Sequence, residues 1–272
     1  MVIKEKFLKE FIKVTQQASI ATLPKIGSNN KNDVDKLATD AMRKILNDIK
    51  IKGRVVIGEG EIDEAPMLYI GEILGKNEGP EIDIAVDPLE GTNFAANNLP
   101  GAITVLAIGE KNNLFKAPET YMNKIATGNI ENGLIDLDYT IEKNIKNLSE
   151  FKNKDISSLT VCILDRPRHK KIIDTLDKLK INKKLISDGD VSGALLVTDD
   201  KYEVDLFLGI GGGPEGVLAA CALDAYNCGF QGRFIFDDDV ATKRAKDMGC
   251  LLYTSDAADE RSSVDLGGRR II

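Results

Sequence analysis

The chain has a single histidine, His169, among 272 residues. A His-rich zinc site or a multi-histidine active centre is therefore excluded. A Ser-His-Asp triad would have to use His169, which sits in Arg166-Pro167-Arg168-His169, and no nucleophile elbow accompanies it. Cysteine is also scarce. Cys162, Cys221, Cys228 and Cys250 form no C-x-x-C pair, and most adjoin apolar runs, so they read as buried thiols rather than metal or redox groups. There is no basic excess: 36 Lys and Arg face 43 Asp and Glu, a formal net charge of -7. That weighs against a nucleic-acid partner, which needs cations along its phosphates. No segment reaches the ~18 to 20 apolar residues of a membrane span; the longest apolar run, residues 102–108, has strand length. The N-terminus sets Lys4, Glu5, Lys6, Lys9 and Glu10 among Phe7, Leu8, Phe11, Ile12 and Val14. This reads as an amphipathic helix and not a secretory leader, so a cytoplasmic location is expected.

What is present is a globular composition, 43% hydrophobic and 29% charged, enough for one large domain or two ordinary ones. One stretch departs from the rest. Residues 1–249 hold 27 Lys, 18 Asn and 6 Arg, whereas residues 250–272 hold no Lys, no Asn and 3 Arg. At the body's rate about four Lys or Asn would fall in that tail. Its text, Cys250-Leu251-Leu252-Tyr253-Thr254-Ser255-Asp256-Ala257-Ala258-Asp259-Glu260, is similar to translated sequencing-adapter read-through, and a non-native segment is expected over 250–272.

Two helices open the chain, one over about 4–23 and one carrying Val34, Leu37, Ala38, Ala41, Met42, Ile45, Leu46 and Ile49 at helical spacing. Short Val- and Ile-rich runs follow at 55–57, 82–86, 103–108, 114–117, 159–164, 184–186 and 204–210, and these predict strands buried in a sheet. Helical patterns at 168–179, 191–197 and 214–225 alternate with the later runs, so the fold class is layered α/β. The polar stretch 140–158 suggests a subdomain boundary, with subdomains over 1–150 and 151–249.

The acids gather just past strand ends. Gly58-Glu59-Gly60-Glu61-Ile62-Asp63-Glu64 follows the first run, Asp87-Pro88-Leu89-Glu90-Gly91-Thr92 the second, and Gly211-Gly212-Gly213-Pro214-Glu215-Gly216 the last. Glycines there let backbone approach a ligand. Carboxylates drawn together repel unless cations bind them, and hard oxygen donors suit Mg²⁺ or Mn²⁺. For Asp63 and Glu64 a solvated turn is the better reading. For Asp87 and Glu90 a common pocket is expected, with Pro88 ending the strand and Gly91-Thr92 offering N–H groups and a hydroxyl to a phosphate oxygen. These are parts of a metal-assisted phosphomonoesterase.

The hexapeptide Asp87 to Thr92 resembles the D-P-[LI]-[DE]-G-[TS] signature of the lithium-sensitive, Mg²⁺-dependent sugar phosphatases. Residues 56–68, 117–122, 166–169, 188–190 and 209–216 are similar, in the same order, to class II fructose-1,6-bisphosphatase; residues 93–100 match loosely. The resemblance implies the layered α-β-α-β-α sugar-phosphatase fold, whose second subdomain would be incomplete here. It implies two or more Mg²⁺ or Mn²⁺ held by Asp35, Glu59, Asp87, Glu90 and Glu215. Asp35 is chosen over Asp33 by its spacing to Met42-Arg43. Substrate contacts would be Glu90, Gly91, Thr92, Tyr121, Arg166, Pro167, Arg168, Asp188, Gly189, Asp190 and Gly212. Thr92, with Asp35 or Glu59, would orient the attacking water, and Lys31 would help neutralise the phosphoryl group. The implied reaction is hydrolysis of the 1-phosphate of fructose 1,6-bisphosphate in gluconeogenesis. Dual action on sedoheptulose 1,7-bisphosphate is the alternative, and a non-catalytic sugar-phosphate binding module is a third if the shortened chain is inactive. The expected partner is the sugar bisphosphate, with no nucleic acid or membrane, and a homo-oligomer is expected.

Overall fold

A computed structural model of the chain describes residues 6–60, 67–236, 243, 264–265 and 270–271. It divides into two compact units, Met1–Ala117 and Pro118–Ile272. The division does not fall in the polar stretch 140–158. That stretch instead forms helix α4, Ile141–Lys152, capped by the Thr140 side chain accepting from the Lys143 N–H. Ile145 and Leu148 are fully buried on it; the apolar positions 141, 145 and 148 sit four and three residues apart, a helical stripe hidden among lysines and asparagines.

Unit 1 begins with α1, Lys6–Thr22, and α2, Lys31–Asp48. Asn30 caps α2 by accepting the Asp33 N–H at 3.2 Å, and Val34, Ala38, Met42 and Leu46 recur every four residues on its buried face. The helices pack on a four-stranded sheet of order β2-β1-β3-β4, made of β1 Lys52–Ile57, β2 Ile73–Leu74, β3 Glu81–Glu90 and β4 Ile103–Glu110. Ile82, Ile84 and Val86 of β3 join Val14, Ala18, Ala38 and Met42 in one core. A short helix α3, Thr92–Ala96, follows β3.

Two expectations fail here. Pro88 does not end its strand: β3 continues to Glu90, and the register to β4 shifts between Asp87↔Val105 and Glu90↔Ile103. Three steps on one strand oppose two on the other, a β-bulge, which is where a ladder tolerates proline. Residues 114–117 are not a strand. The Leu114 N–H donates to the Asp83 side chain at 3.4 Å instead of to a ladder carbonyl.

Unit 2 has a mixed seven-stranded sheet of order β10-β11-β9-β5-β8-β6-β7. Its strands are β5 Tyr121–Thr127, β6 Thr160–Leu164, β7 Asn182–Ile186, β8 Leu206–Gly212, β9 Gly229–Ile235, β10 Val264–Asp265 and β11 Arg270–Ile271. Helices α5 Lys170–Lys178, α6 Asp190–Leu195 and α7 Gly213–Ala225 connect them. Ile125, Val161, Leu206 and Leu208 pack with Ile145, Leu148 and Leu176 of α4 and α5. On β5 the alternate residues Met122 and Lys124 lie against Gly216 of α7, so helices cover both faces of this sheet. Of the compositionally distinct tail only the two short strands β10 and β11 are described, β11 pairing parallel to β9; the rest lies outside the described residues. Among the described residues no helix is long and apolar enough to cross a membrane.

Candidate active site

In unit 1 the expected site residues follow from strand register. β1 and β3 are parallel, and Ile57 pairs with Ala85. Glu59 and Asp87 therefore each lie two residues beyond that pair, at the same ends of neighbouring strands. Asp87 and Glu90, three apart, would point to opposite faces of a regular strand; the bulge between them resets that alternation by one residue. Asp87 Oδ1 accepts the Leu89 N–H at 3.1 Å, which fixes the bulge, and Glu90 is buried. Gly91 adopts φ +75°, the left-handed region that other residues enter at a cost, and leads into α3. The Thr92 hydroxyl donates to the Leu89 carbonyl at 2.8 Å, so its lone pairs face outward as acceptors.

On α2, Asp33 is paired with Lys25 at 3.0 Å. Burial pushes the Asp35 carboxyl above the usual carboxylate range. Lys31 is exposed at the first turn of α2. Glu61, Asp63 and Glu64 lie outside the described residues. The backbone of Glu59 is held from a distance. Its N–H donates to the Leu68 carbonyl at 3.0 Å. Leu68 is fully buried with φ +56°, and the carboxylate of buried Glu72 accepts its N–H. Arg43 Nε grips the other oxygen of Glu72 at 2.6 Å. Neither Arg43 nor Glu72 was legible as a site residue in the sequence.

In unit 2, Tyr121, Arg168, Asp190 and Glu215 meet around residues 210–212 of β8. Tyr121 pairs with Gly212 across the ladder. Arg168 donates from Nε to the Ile210 carbonyl at 2.8 Å, and its guanidinium lies 5.1 Å from the Tyr121 ring centroid. A Cβ on Gly211 would overlap the Asp190 carboxylate, and one on Gly212 would overlap that of Glu215. Both glycines leave room for a carboxylate to lie against the strand. Arg166 reaches Asp188 at 3.9 Å. His169 anchors this loop: its ring is buried, Nδ1 contacts the Leu164 carbonyl at 2.6 Å, and Nε2 accepts the Ile210 N–H at 2.8 Å. That pattern assigns the neutral Nδ1–H tautomer, and burial lowers the ring's pKa.

The sequence reading missed Lys124. It is 1% exposed and pairs with Asp190, itself 9% exposed. The signal was a lysine in an otherwise apolar alternate row, between Met122 and Ala126, both buried.

Among the described residues no group of three or more His, Cys, Asp or Glu stands in metal-holding geometry. The chemistry of the expected set nonetheless fits a hard divalent cation. Every donor is a carboxylate oxygen, Asp35 carries a burial cost that a cation would offset, and Glu215 Oε2 is buried without a hydrogen-bond partner.

Comparison with known proteins decides the family. The profile of a family described as "Bacterial fructose-1,6-bisphosphatase, glpX-encoded" matches residues 5–259. The chain belongs to this class II fructose-1,6-bisphosphatase family. A Synechocystis protein named D-fructose 1,6-bisphosphatase class 2/sedoheptulose 1,7-bisphosphatase is 44% identical over 243 residues, covering 85% of this chain and 70% of its own length. A Trichodesmium erythraeum protein of the same name is 41% identical over 264 residues, covering 88% and 76%. The Escherichia coli K12 protein named fructose-1,6-bisphosphatase 1 class 2 is 43% identical over 231 residues, covering 85% and 69%. The bisphosphatase family is one of metal-dependent phosphatases acting on a sugar bisphosphate, and the α/β fold agrees with it.

Proposed function

We propose that the chain hydrolyses the 1-phosphate of fructose 1,6-bisphosphate, releasing fructose 6-phosphate and phosphate. The observation that carries the reading is the cluster at the end of β8. There Arg168 holds the Ile210 carbonyl beside the Tyr121 ring and Asp190 lies against Gly211, while Arg166 pairs with Asp188, a set suited to a sugar bearing a second phosphate. With Nε of Arg168 committed to Ile210, its terminal N–H groups serve the phosphate that is not cleaved, in bidentate fashion. Asp188 and Asp190 accept hydrogens from sugar hydroxyls.

Unit 1 supplies the reacting end. Asp35, Glu59, Asp87 and Glu90 would hold Mn²⁺ or Mg²⁺. Bound there, such ions supply Lewis-acid polarisation of the phosphoryl oxygens and a more acidic water. Thr92, whose own hydrogen is spent on Leu89, accepts a hydrogen from the attacking water. Asp35 or Glu59 orients that water together with Thr92. The N–H groups at Gly91 and Thr92 and the Lys31 ammonium face the phosphoryl oxygens. Direct attack by water agrees with the nucleophile inventory. Burial pushes the Cys162 thiol up to about 12, and both nitrogens of His169 are engaged by backbone.

Sedoheptulose 1,7-bisphosphate is the second reading, favoured by the double name of the cyanobacterial relatives. The test is phosphate release with Mn²⁺ or Mg²⁺ from the two sugar bisphosphates and from inositol 1-phosphate. Turnover is expected on one or both bisphosphates, well above the inositol ester. Equal or faster release from inositol 1-phosphate would overturn the assignment.

A further inference from the structure

We propose that Lys124 is a positioning residue for sugar recognition, holding the Asp190 carboxylate from inside unit 2 so that it stands as an acceptor at the end of β8. The proposal rests on the reading of Asp190 as a contact to sugar hydroxyls, and it deepens that reading.

Three observations converge. First, Lys124 occupies a position where packing favours an apolar side chain. Its neighbours in the same row, Met122 and Ala126, are buried, and its stem lies against Gly216 of α7. A buried ion pair adds little net stability over a well-packed apolar pair, so packing alone does not account for a lysine here. Second, the ammonium engages Asp190 Oδ2, while Oδ1 is buried without a hydrogen-bond partner. An acceptor left so in a protein interior is costly. One oxygen is fixed and the other retains its accepting capacity. Third, the carboxylate lies over Gly211, where any side chain would collide with it. Strand and lysine together leave Asp190 one place to be, next to the Tyr121–Gly212 pair and to the Ile210 carbonyl that Arg168 grips.

The chemistry requires the cation as well as the geometry. A carboxylate this buried is costly unless it is paired, and Lys124 is the charge paired with it. Lys124, 1% exposed, is itself screened from ligand and acts only through Asp190.

The test measures equilibrium binding of fructose 6-phosphate and of inorganic phosphate to the full chain, with turnover of fructose 1,6-bisphosphate measured alongside. Lys124→Met should weaken fructose 6-phosphate binding by roughly tenfold to a hundredfold, the range for a hydrogen bond to a charged group, and leave inorganic phosphate binding unchanged. Asp190→Asn should do the same. The double variant, which removes both charges and so folds even where Lys124→Met alone does not, should bind as Asp190→Asn does, within about twofold. Losses that multiply in the double variant, or equal losses for inorganic phosphate, would make Lys124 scaffold and overturn the proposal. Parent turnover with unaffected variants would overturn the role of Lys124 and spare the proposed function. Lys124-dependent binding without parent turnover would uphold the role and reject the reaction. A parent that binds no fructose 6-phosphate would overturn both.

Discussion

The two units differ in the charge balance of the residues they contribute. In unit 1 the expected site residues are four acids, Asp35, Glu59, Asp87 and Glu90, with Lys31 as their one base. In unit 2 three acids, Asp188, Asp190 and Glu215, are set among Arg166, Arg168 and Lys124, and two of them are in contact with those bases. A net-acidic cluster built from bulge and strand-end carboxylates suits cations, whereas a cluster of arginines, a tyrosine and clamped acids suits an anionic sugar. The difference is the basis of the proposed division of labour, with phosphoryl chemistry assigned to the unit 1 acids and recognition of the rest of the substrate to the arginine cluster of unit 2.

The largest effect that would break this comparison belongs to unit 1. Asp87→Asn should lower turnover by more than ~100-fold, beyond what loss of a supporting residue around a metal costs. It should leave the melting temperature of the metal-free chain unchanged or raised, since like-charge repulsion is relieved. Turnover within about tenfold of the parent at saturating Mn²⁺ would remove Asp87 from the metal site.

Glu72→Gln should act on stability through the Glu59 support. An amide nitrogen would face either Arg43 or the Leu68 N–H, breaking one of the two bonds the carboxylate accepts. A loss of about 1–3 kcal/mol in urea unfolding is expected. A midpoint equal to the parent's would show that the left-handed Leu68 is held by other contacts.

The smallest expected effect is a pH dependence in unit 2. His169 is neutral and buried, with its pKa lowered from 6.5 chiefly by burial. The unfolded chain therefore binds a proton at higher pH than the folded chain does. The stability this residue contributes is full above about pH 6.5 and is lost as pH falls from there toward its lower folded value. Replacing His169 with Gln should flatten the stability curve over that window. A parent curve already flat between pH 7 and 5, with other groups accounted for, would contradict the neutral assignment.

Legibility in the sequence followed local chemistry. β6 and β8 were readable because apolar residues dominate strands buried along most of their length, and β1 because of its buried Val55-Val56-Ile57 end. β5 and β9 were not. Asn123, Lys124 and Thr127 interrupt the first and Gly229, Gln231, Gly232 and Arg233 the second, and only tertiary packing makes those residues acceptable in a sheet. The bulge at Pro88 escaped for a related reason, since proline in isolation signals a strand end. In the site, the acids beside glycines were conspicuous. Their supports were not, because Arg43, Glu72 and Lys124 act across 29 and 66 positions of chain, a separation no local pattern encodes. Family similarity supplied Asp35, which the structure now shows to be an acid raised by burial.

The division of labour is tested most directly by Arg168→Ala assayed against two substrates, fructose 1,6-bisphosphate and a simple monophosphate ester, under one set of metal conditions. The proposed contact of Arg168 with the uncleaved phosphate predicts that kcat/KM for the bisphosphate falls about 10- to 100-fold while the simple ester is little changed. Equal losses on both substrates would place Arg168 at the cleaved phosphate or in the scaffold, and would contradict the assignment of chemistry to one unit and recognition to the other.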